Sequence, residues 1–421
     1  MLKVMSNIKR DFRLLYLLMA IISLFQFSCS NNYYKRKTFE YPQPVNTFSK
    51  KIENQIKDTF TIKDVHITND FDGARMNACT KTTDNLYEFT IKPENAPVND
   101  SPWYAFKMWA DSTKRIFIKL KYVDGHHRYI PKISRNGTDW TKLDTALIDV
   151  ADDKSYAVFP LTIDTTPTWI AAQKIISSAD VYKWIESLKG KDYTSSFLST
   201  GKSVLGRDIP YFRIGKGDIK DKRVIVLMSR QHPPEISGYQ ALQSFVDEIL
   251  KRDELTETFL SKYDFWVFPV LNPDGIDLGH WRHNANGVDL NRDWAYFRQP
   301  ETNAVTRFIV EQAKKHHNKI VLGIDFHSTK KDLWYIFNDD FKTQLHGIIK
   351  PWLASINRLV SPFKTIYIEE PLTKPYSKVW FYMQFKCEAI TYEVGDETPL
   401  QLIDKKARSA AITLMDLLLR Q

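Results

Sequence analysis

The stretch RVIVLMSRQHPPEISGYQALQSFVDEIL, Arg223 to Leu250, changes character once, and the change decides the fold. Arg223–Ser229 is an apolar run of strand length with no alternation, the pattern of a strand buried on both faces. From Ile236 onward Leu242, Phe245, Val246, Ile249 and Leu250 recur at helical spacing. His232 and Glu235 therefore sit where a buried strand hands over to a helix, at the carboxyl end of a sheet, which is where open α/β sheets hold their ligands. An imidazole and a carboxylate three residues apart can both reach one metal ion. The pair alone is not specific, because a capped helix start carrying a surface Glu has the same wording.

Working outward, strands and helices alternate on both sides of this junction. Ser178–Lys189 presents Val181, Trp184, Ile185 and Leu188 on one helical face, with Gly190 past its end. Tyr263–Val270 reads as a strand leading to Asn272, Pro300–His317 as a helix, and Lys319–Phe326 as a second buried strand ending at His327. Leu333–Phe337 and Glu388–Val394 read as strands, and Leu400–Leu419 closes the chain as an amphipathic helix. Such alternation predicts a mixed sheet with helices on both faces over residues 167–421. Upstream, residues 55–166 show only strand patterns, at Leu86–Lys92, Trp103–Trp109, Arg115–Val123 and Tyr156–Ile163. Turn signals at Asp72-Gly73, Asp124-Gly125 and Asn136-Gly137 separate them, which predicts a small β-sandwich. Its aromatic residues are expected to serve packing rather than a carbohydrate-binding face.

Composition bounds the remaining classes. With 421 residues, 43% of them hydrophobic and 26% charged, the chain can bury two cores. The net charge of +9 is not gathered into a Lys/Arg block interleaved with aromatics, so a nucleic-acid partner is not expected. At the N-terminus Lys3, Lys9, Arg10 and Arg13 precede the apolar run Leu14–Phe27, which is short for a membrane span. Ser28-Cys29-Ser30 follows. Residues 1–29 thus resemble a bacterial lipoprotein signal, with Gln26 departing from its usual Leu. The resemblance implies export and membrane attachment through a lipidated Cys29, at the periplasm or cell surface, and the competing reading is an ordinary cleaved signal with an incidental Cys. Residues 30–54, rich in Lys, Tyr and Pro, read as a tether. Cys79 and Cys387, placed in different domains, read as two thiols.

His327 supplies a second imidazole at the end of a second buried strand. Two nitrogen ligands and one carboxylate leave a fourth zinc position open, the stoichiometry of a catalytic site. Between the two strands lie Asn272-Pro-Asp-Gly275, Trp281-Arg-His-Asn284 and Val288-Asp-Leu-Asn-Arg292, and near the end Tyr392-Glu-Val394. Together with His-Pro-x-Glu and Phe-His-Ser, these wordings in this order resemble the zinc carboxypeptidases of the carboxypeptidase A superfamily. The β-sandwich and the wording Gly275-Ile-Asp-Leu-Gly-His280 are similar to the cytosolic-carboxypeptidase subgroup.

The resemblance implies one zinc ion held by His232, Glu235 and His327, with Asp289 orienting the first histidine. It makes Arg282 the stabiliser of the oxyanion, Asn291 and Arg292 the clamp for the substrate's terminal carboxylate, and Glu393 the general base. Peptides with a free C-terminus are the implied substrates, hydrolysed through a water activated at zinc. A tyrosine that closes over the substrate is expected at Tyr376 rather than Tyr367. In the family resembled, residues just before a matching aromatic line the side-chain pocket, so counting back from Trp380 the resemblance puts Lys378 near its floor, where an unpartnered ammonium would favour a C-terminal Glu or Asp. The competing position for Lys378 is a helix start facing solvent. Two other functions share these residues: an amidase acting on cell-wall peptides or N-acyl amino acids, and a binding protein on an inactive scaffold.

Overall fold

The computed structural model describes residues 33–421, so the stretch read as a signal, with Cys29, lies outside the described residues. The first unit is a sandwich of two sheets. One has the strand order 59–62, 65–68, 105–110, 168–171, 132–134, 141–142, and the other 78–81, 86–91, 114–122, 156–163, 149–150. Along the strand at 114–122, Ile116, Ile118, Leu120 and Tyr122 alternate inward, the period-two pattern of a half-buried strand. They meet Phe89, Phe106 and Phe159 in one core. The strand Thr168–Ala171 pairs with 105–110, so the sandwich runs past the expected boundary at 166.

The larger unit is an eight-stranded mixed sheet. Its strands are β1 (Leu198–Lys202), β2 (Asp208–Ile214), β3 (Arg223–Ser229), β4 (Tyr263–Phe268), β5 (Lys319–Thr329), β6 (Leu333–Ile336), β7 (Tyr367–Glu369) and β8 (Glu388–Gly395). Their spatial order is β1-β2-β4-β3-β5-β8-β6-β7. The central four, β4, β3, β5 and β8, are parallel. The apolar run of β3 splits by parity: Ile225 and Leu227 join one core, whereas Val224, Val226 and Met228 join the other. Both faces are therefore covered. The first core receives α1 (Ser178–Ser187), α2 (Ile236–Ile249) and α3 (Glu254–Lys262). The second core receives α5 (Pro300–His316), which follows the short α4 (Pro273–Asp277). Farther along the chain, α6 (Ile349–Val360) and α8 (Leu400–Leu419) lie on the first face and α7 (Ser377–Phe385) on the second.

Two features position the site. β5 continues through His327 to Thr329, so this histidine lies inside the strand rather than just after it. At the start of α2, Gly238 lies so close to β5 that a Cβ there would come within 2.4 Å of the His327 carbonyl oxygen. Only glycine lets the helix that follows Glu235 approach the strand that carries His327.

The segment read as a tether is laid along the larger unit instead. Tyr33 accepts a hydrogen bond from the Ile320 amide at 2.8 Å, and the Gln384 side chain donates to the Tyr33 and Lys35 carbonyls. Tyr41 and Thr47 are buried, and the Lys50 amide bonds the Asn286 carbonyl at 2.8 Å. Its aromatic residues, spaced for packing, outweigh the Lys/Pro composition that suggested a free linker. Cys79 and Cys387 are both free thiols.

Candidate active site

β3 ends at Ser229, and Arg230 adopts φ 54°, turning the chain so that His232 lies over the carboxyl edge of the sheet. Glu235 is the residue immediately before α2. His327 comes from the neighbouring parallel strand β5. His232 Nδ1 lies 2.8 Å from one Glu235 oxygen and His327 Nδ1 lies 2.6 Å from the other. The opposite ring nitrogens are held by aspartates: His232 Nε2 to Asp289 at 2.9 Å and His327 Nε2 to Asp325 at 2.9 Å. With the Nε2 atoms turned to Asp289 and Asp325, both Nδ1 atoms face the Glu235 carboxylate. All three ligand atoms lie within 4.8 Å of one another. Two imidazoles and one carboxylate converging at that range suit zinc with an open coordination position. Asp289 and Asp325 are the outer partners that such ligands use to set tautomer and orientation.

The local electrostatics agree. Burial opposes ionisation of Glu235, but His232 and His327 outweigh it and hold the carboxyl below its usual range. Burial likewise opposes charge on His327, yet Asp325 and Glu235 raise it well above an ordinary histidine. At Asp289 burial is overcome by Arg282, Arg292 and His232, which keep it ionised.

A cavity of about 500 Å³ opens over these residues. Glu393 enters it from β8, where it is the register partner of His327. Burial, reinforced by the Glu235 charge, pushes Glu393 up to about 8 against the pull of His327 and Arg282; a bound cation acts in the same direction as those two. Arg282 donates from Nε to Asp289 at 2.6 Å and also lines the cavity. Arg292 lies over the Tyr376 ring at 4.6 Å, 3.6 Å from Asp289, leaving its fork at the cavity wall. The Asn291 side-chain oxygen accepts from the Ser377 amide at 3.0 Å. Tyr376, the residue before α7, faces the cavity, whereas Tyr367 lies exposed on the edge strand β7.

Lys378 departs from its expected place. It is the second residue of α7, 1% exposed, and is not part of the cavity wall. Its ammonium pairs with Glu370 at 2.9 Å, and it is Glu370 that reaches the cavity. The chain itself supplies the carboxylate that an unpartnered lysine would have drawn from the substrate. The argument for an acidic C-terminal preference therefore falls, as does the solvent-facing alternative.

Asp325 and Glu370 were missed in the sequence. Asp325 stands two positions before His327 on one strand, which places both on the same face, so alternation offered a signal. Nothing around Glu370 distinguishes it from a loop carboxylate. The sandwich also contributes to the wall: Asn99, Asp100, Ser101 and Arg128 border the cavity, with the Arg128 guanidinium on Asp396 at 2.8 Å.

A family model described as zinc carboxypeptidase matches residues 181–405, just over half of the chain. An uncharacterized protein of Zymomonas mobilis is 26% identical over 267 residues, covering 61% of this chain and 64% of that protein. Cytosolic carboxypeptidase 2 of Xenopus tropicalis is 30% identical over 143 residues, 32% of this chain and 15% of the frog protein. An inactive metallocarboxypeptidase of Ajellomyces capsulatus is 24% identical over 184 residues, 34% of this chain and 30% of the fungal protein. The chain thus spans less than two thirds of each of these relatives. Among solved structures, a metallo-carboxypeptidase from Pseudomonas aeruginosa, in complex with (2-guanidinoethylmercapto)succinic acid, shares the fold. It superposes with a TM-score of 0.68 at 19% identity, over 84% of this chain and 98% of that one. That coverage reaches beyond the larger unit into the sandwich.

Proposed function

Because the chain belongs to the zinc carboxypeptidase family, we propose that it is an active metallocarboxypeptidase that removes single residues from peptide C-termini. The observation that carries this reading is the convergence on one cavity of His232, Glu235 and His327 with Glu393, Arg282 and Arg292. His232, Glu235 and His327 would hold zinc, which when bound supplies a Lewis acid for the scissile carbonyl and acidifies a water.

The remaining roles belong to the side chains. Glu393, raised by burial and unencumbered on one oxygen, takes a proton from the attacking water and returns it to the leaving amine. Arg282, fixed through its Nε by Asp289, presents the rest of its fork to the negative charge that develops on the carbonyl oxygen. Arg292, with Asn291 beside it, meets the terminal carboxylate in the bidentate geometry that suits a guanidinium. Tyr376 flanks that clamp, with its ring under the Arg292 guanidinium.

The test is to incubate the purified protein with a mixed peptide pool and read truncated C-termini by mass spectrometry. Stepwise loss of C-terminal residues is expected. Cleavage only of amide-linked cell-wall or N-acyl substrates would replace this reading with an amidase, and no cleavage by the zinc-loaded protein would leave an inactive scaffold. We further propose, from the N-terminal sequence, that the chain is exported and acylated on Cys29. Metabolic labelling with an alkyne fatty acid should mark the wild type and not Cys29→Ala. Equal labelling of both removes the anchor from the proposal.

A further inference from the structure

The short segment that carries Arg282 is held at its amides by the sandwich, while Asn272 of its own unit donates to the His283 carbonyl at 3.2 Å. Glu94, in the loop between the sandwich strands 86–91 and 105–110, is fully buried. Its carboxylate accepts three consecutive backbone amides of the catalytic unit: Trp281 at 2.7 Å, Arg282 at 3.1 Å and His283 at 2.7 Å. His283 Nδ1 stands 3.1 Å from the same carboxylate. Burial alone would push Glu94 toward its neutral form, but His280, His283 and Arg75 outweigh it and keep the carboxyl well below its ordinary range. The residue next to Arg282 is anchored as firmly. The Trp281 indole is buried in the sandwich core, and its Nε1 donates to the Trp103 carbonyl at 3.0 Å. Arg282 is thus gripped at its backbone by one domain and at its guanidinium by Asp289 of the other.

We propose that Glu94 is a positioning residue for Arg282, so that the sandwich aims the guanidinium at the developing oxyanion. The inference rests on the peptidase reading and deepens it, by giving the N-terminal unit a part in the reaction. A carboxylate is what the position requires. Three N–H groups directed at one point need acceptors only, and ionised acceptors make the stronger hydrogen bonds. A glutamine of the same shape turns an NH₂ toward at least one of those donors. The segment must then shift, and misplacement of a reacting group by about 1 Å costs on the order of 10²-fold in rate.

The experiment compares the full-length zinc-loaded wild type with Glu94→Gln, Arg282→Ala and the double variant. Glu94→Gln should keep its zinc, lower kcat about 10²-fold and leave KM within about 2-fold. In the Arg282→Ala background the same change should cost less than about 3-fold, because the group it positions is already gone. Amide hydrogen exchange supplies a readout independent of turnover: the amides of residues 281–283 should exchange as slowly as the central strands in the wild type and at least about 10-fold faster in Glu94→Gln. Should Glu94→Gln not fold, Glu94→Asp keeps the charge, withdraws it by one methylene, and should show the same pattern with a smaller loss. Additive losses in the double variant, parallel loss of zinc, or unchanged exchange at 281–283 would overturn the proposal. If the wild type cleaves no peptide, the peptidase reading fails by itself, and the exchange measurement still judges the Glu94 contact.

Discussion

Asp325→Asn is the perturbation that most directly examines how the zinc site is built. Asp325 is 2% exposed and receives His327 Nε2 at 2.9 Å, Gln231 Nε2 at 2.5 Å and the Ser377 hydroxyl on the same oxygen. Asparagine preserves the volume but exchanges one acceptor oxygen for two N–H donors. Whichever way the amide is turned, either it places a donor against these donors or its single oxygen serves all three without the charge that strengthened them. His327 then keeps at best a neutral acceptor, which no longer raises its basicity as the charged one does. Outer partners of metal-bound histidines are worth about 10–100-fold in affinity, which is about 1.4–2.7 kcal/mol. The strained buried contact should also lower apo-protein stability by about 1–3 kcal/mol. Competition titration against a chromophoric chelator gives the zinc dissociation constant, and urea unfolding of the metal-free protein gives the stability change. A zinc affinity within about 2-fold of wild type in a folded Asp325→Asn protein would refute the reasoning. It would mean that Gly238 and the backbone alone orient His327.

The chemical roles separate by substitution. Glu393→Gln should retain zinc and substrate affinity while losing about 10²–10⁴-fold in kcat; single-turnover rates near wild type would remove it as the base. Arg292→Ala should weaken turnover of peptides with a free terminal carboxylate, and an equal loss on C-terminally amidated peptides would show that it clamps nothing. Glu301, fully buried, is pushed by burial up to about 7 from 4.5, so the folded state binds its proton more tightly than the unfolded chain. That contribution is complete below the unfolded value and is lost as pH rises through the folded one. Relative to Glu301→Gln, the wild type should therefore lose ~3 kcal/mol of stability between pH 5 and 8, measured by urea unfolding at each pH, and a pH-independent difference would contradict it. Gly125 has no room for a Cβ, which would stand 2.5 Å from the Trp281 ring. Gly125→Ala should cost about 1–3 kcal/mol by overpacking, and a melting temperature equal to wild type would show that the Trp281 seat is looser than drawn.

The parts of this molecule that were legible in the sequence are those whose signal is local. β3 and α2 declared themselves through a switch from continuous to helical apolar spacing, and β5 and β8 through runs of the same kind. The motif wordings around His232, Asp289, His327 and Glu393 were legible because each is short and contiguous. β1 and β2 were not seen: β1 is largely exposed, with Gly201 and Lys202 in a run of five, so it lacks the apolar face that marks a strand. α6 carried a usable signal in Ile349, Trp352, Leu353, Ile356 and Val360, at helical spacing and all buried, and was overlooked. The Lys378 expectation failed for a different reason. A buried lysine implies a partner but not whose partner, and Glu370 comes from a segment with no pattern of its own. Glu94 lies about as far beyond sequence reasoning as a residue can. The amides it binds belong to another domain, 187 to 189 positions away.

The strap that begins at Tyr33 also sets an orientation. Tyr33 and Tyr34 meet the chain at Asn318 and Ile320, where β5 begins, whereas the cavity lies where β5 ends. β5 has eleven residues, about 36 Å of extended chain. Cys29 stands four residues before Tyr33 in the sequence. A protein held to a bilayer by that cysteine would hang from the blunt end of its sheet with its mouth turned outward.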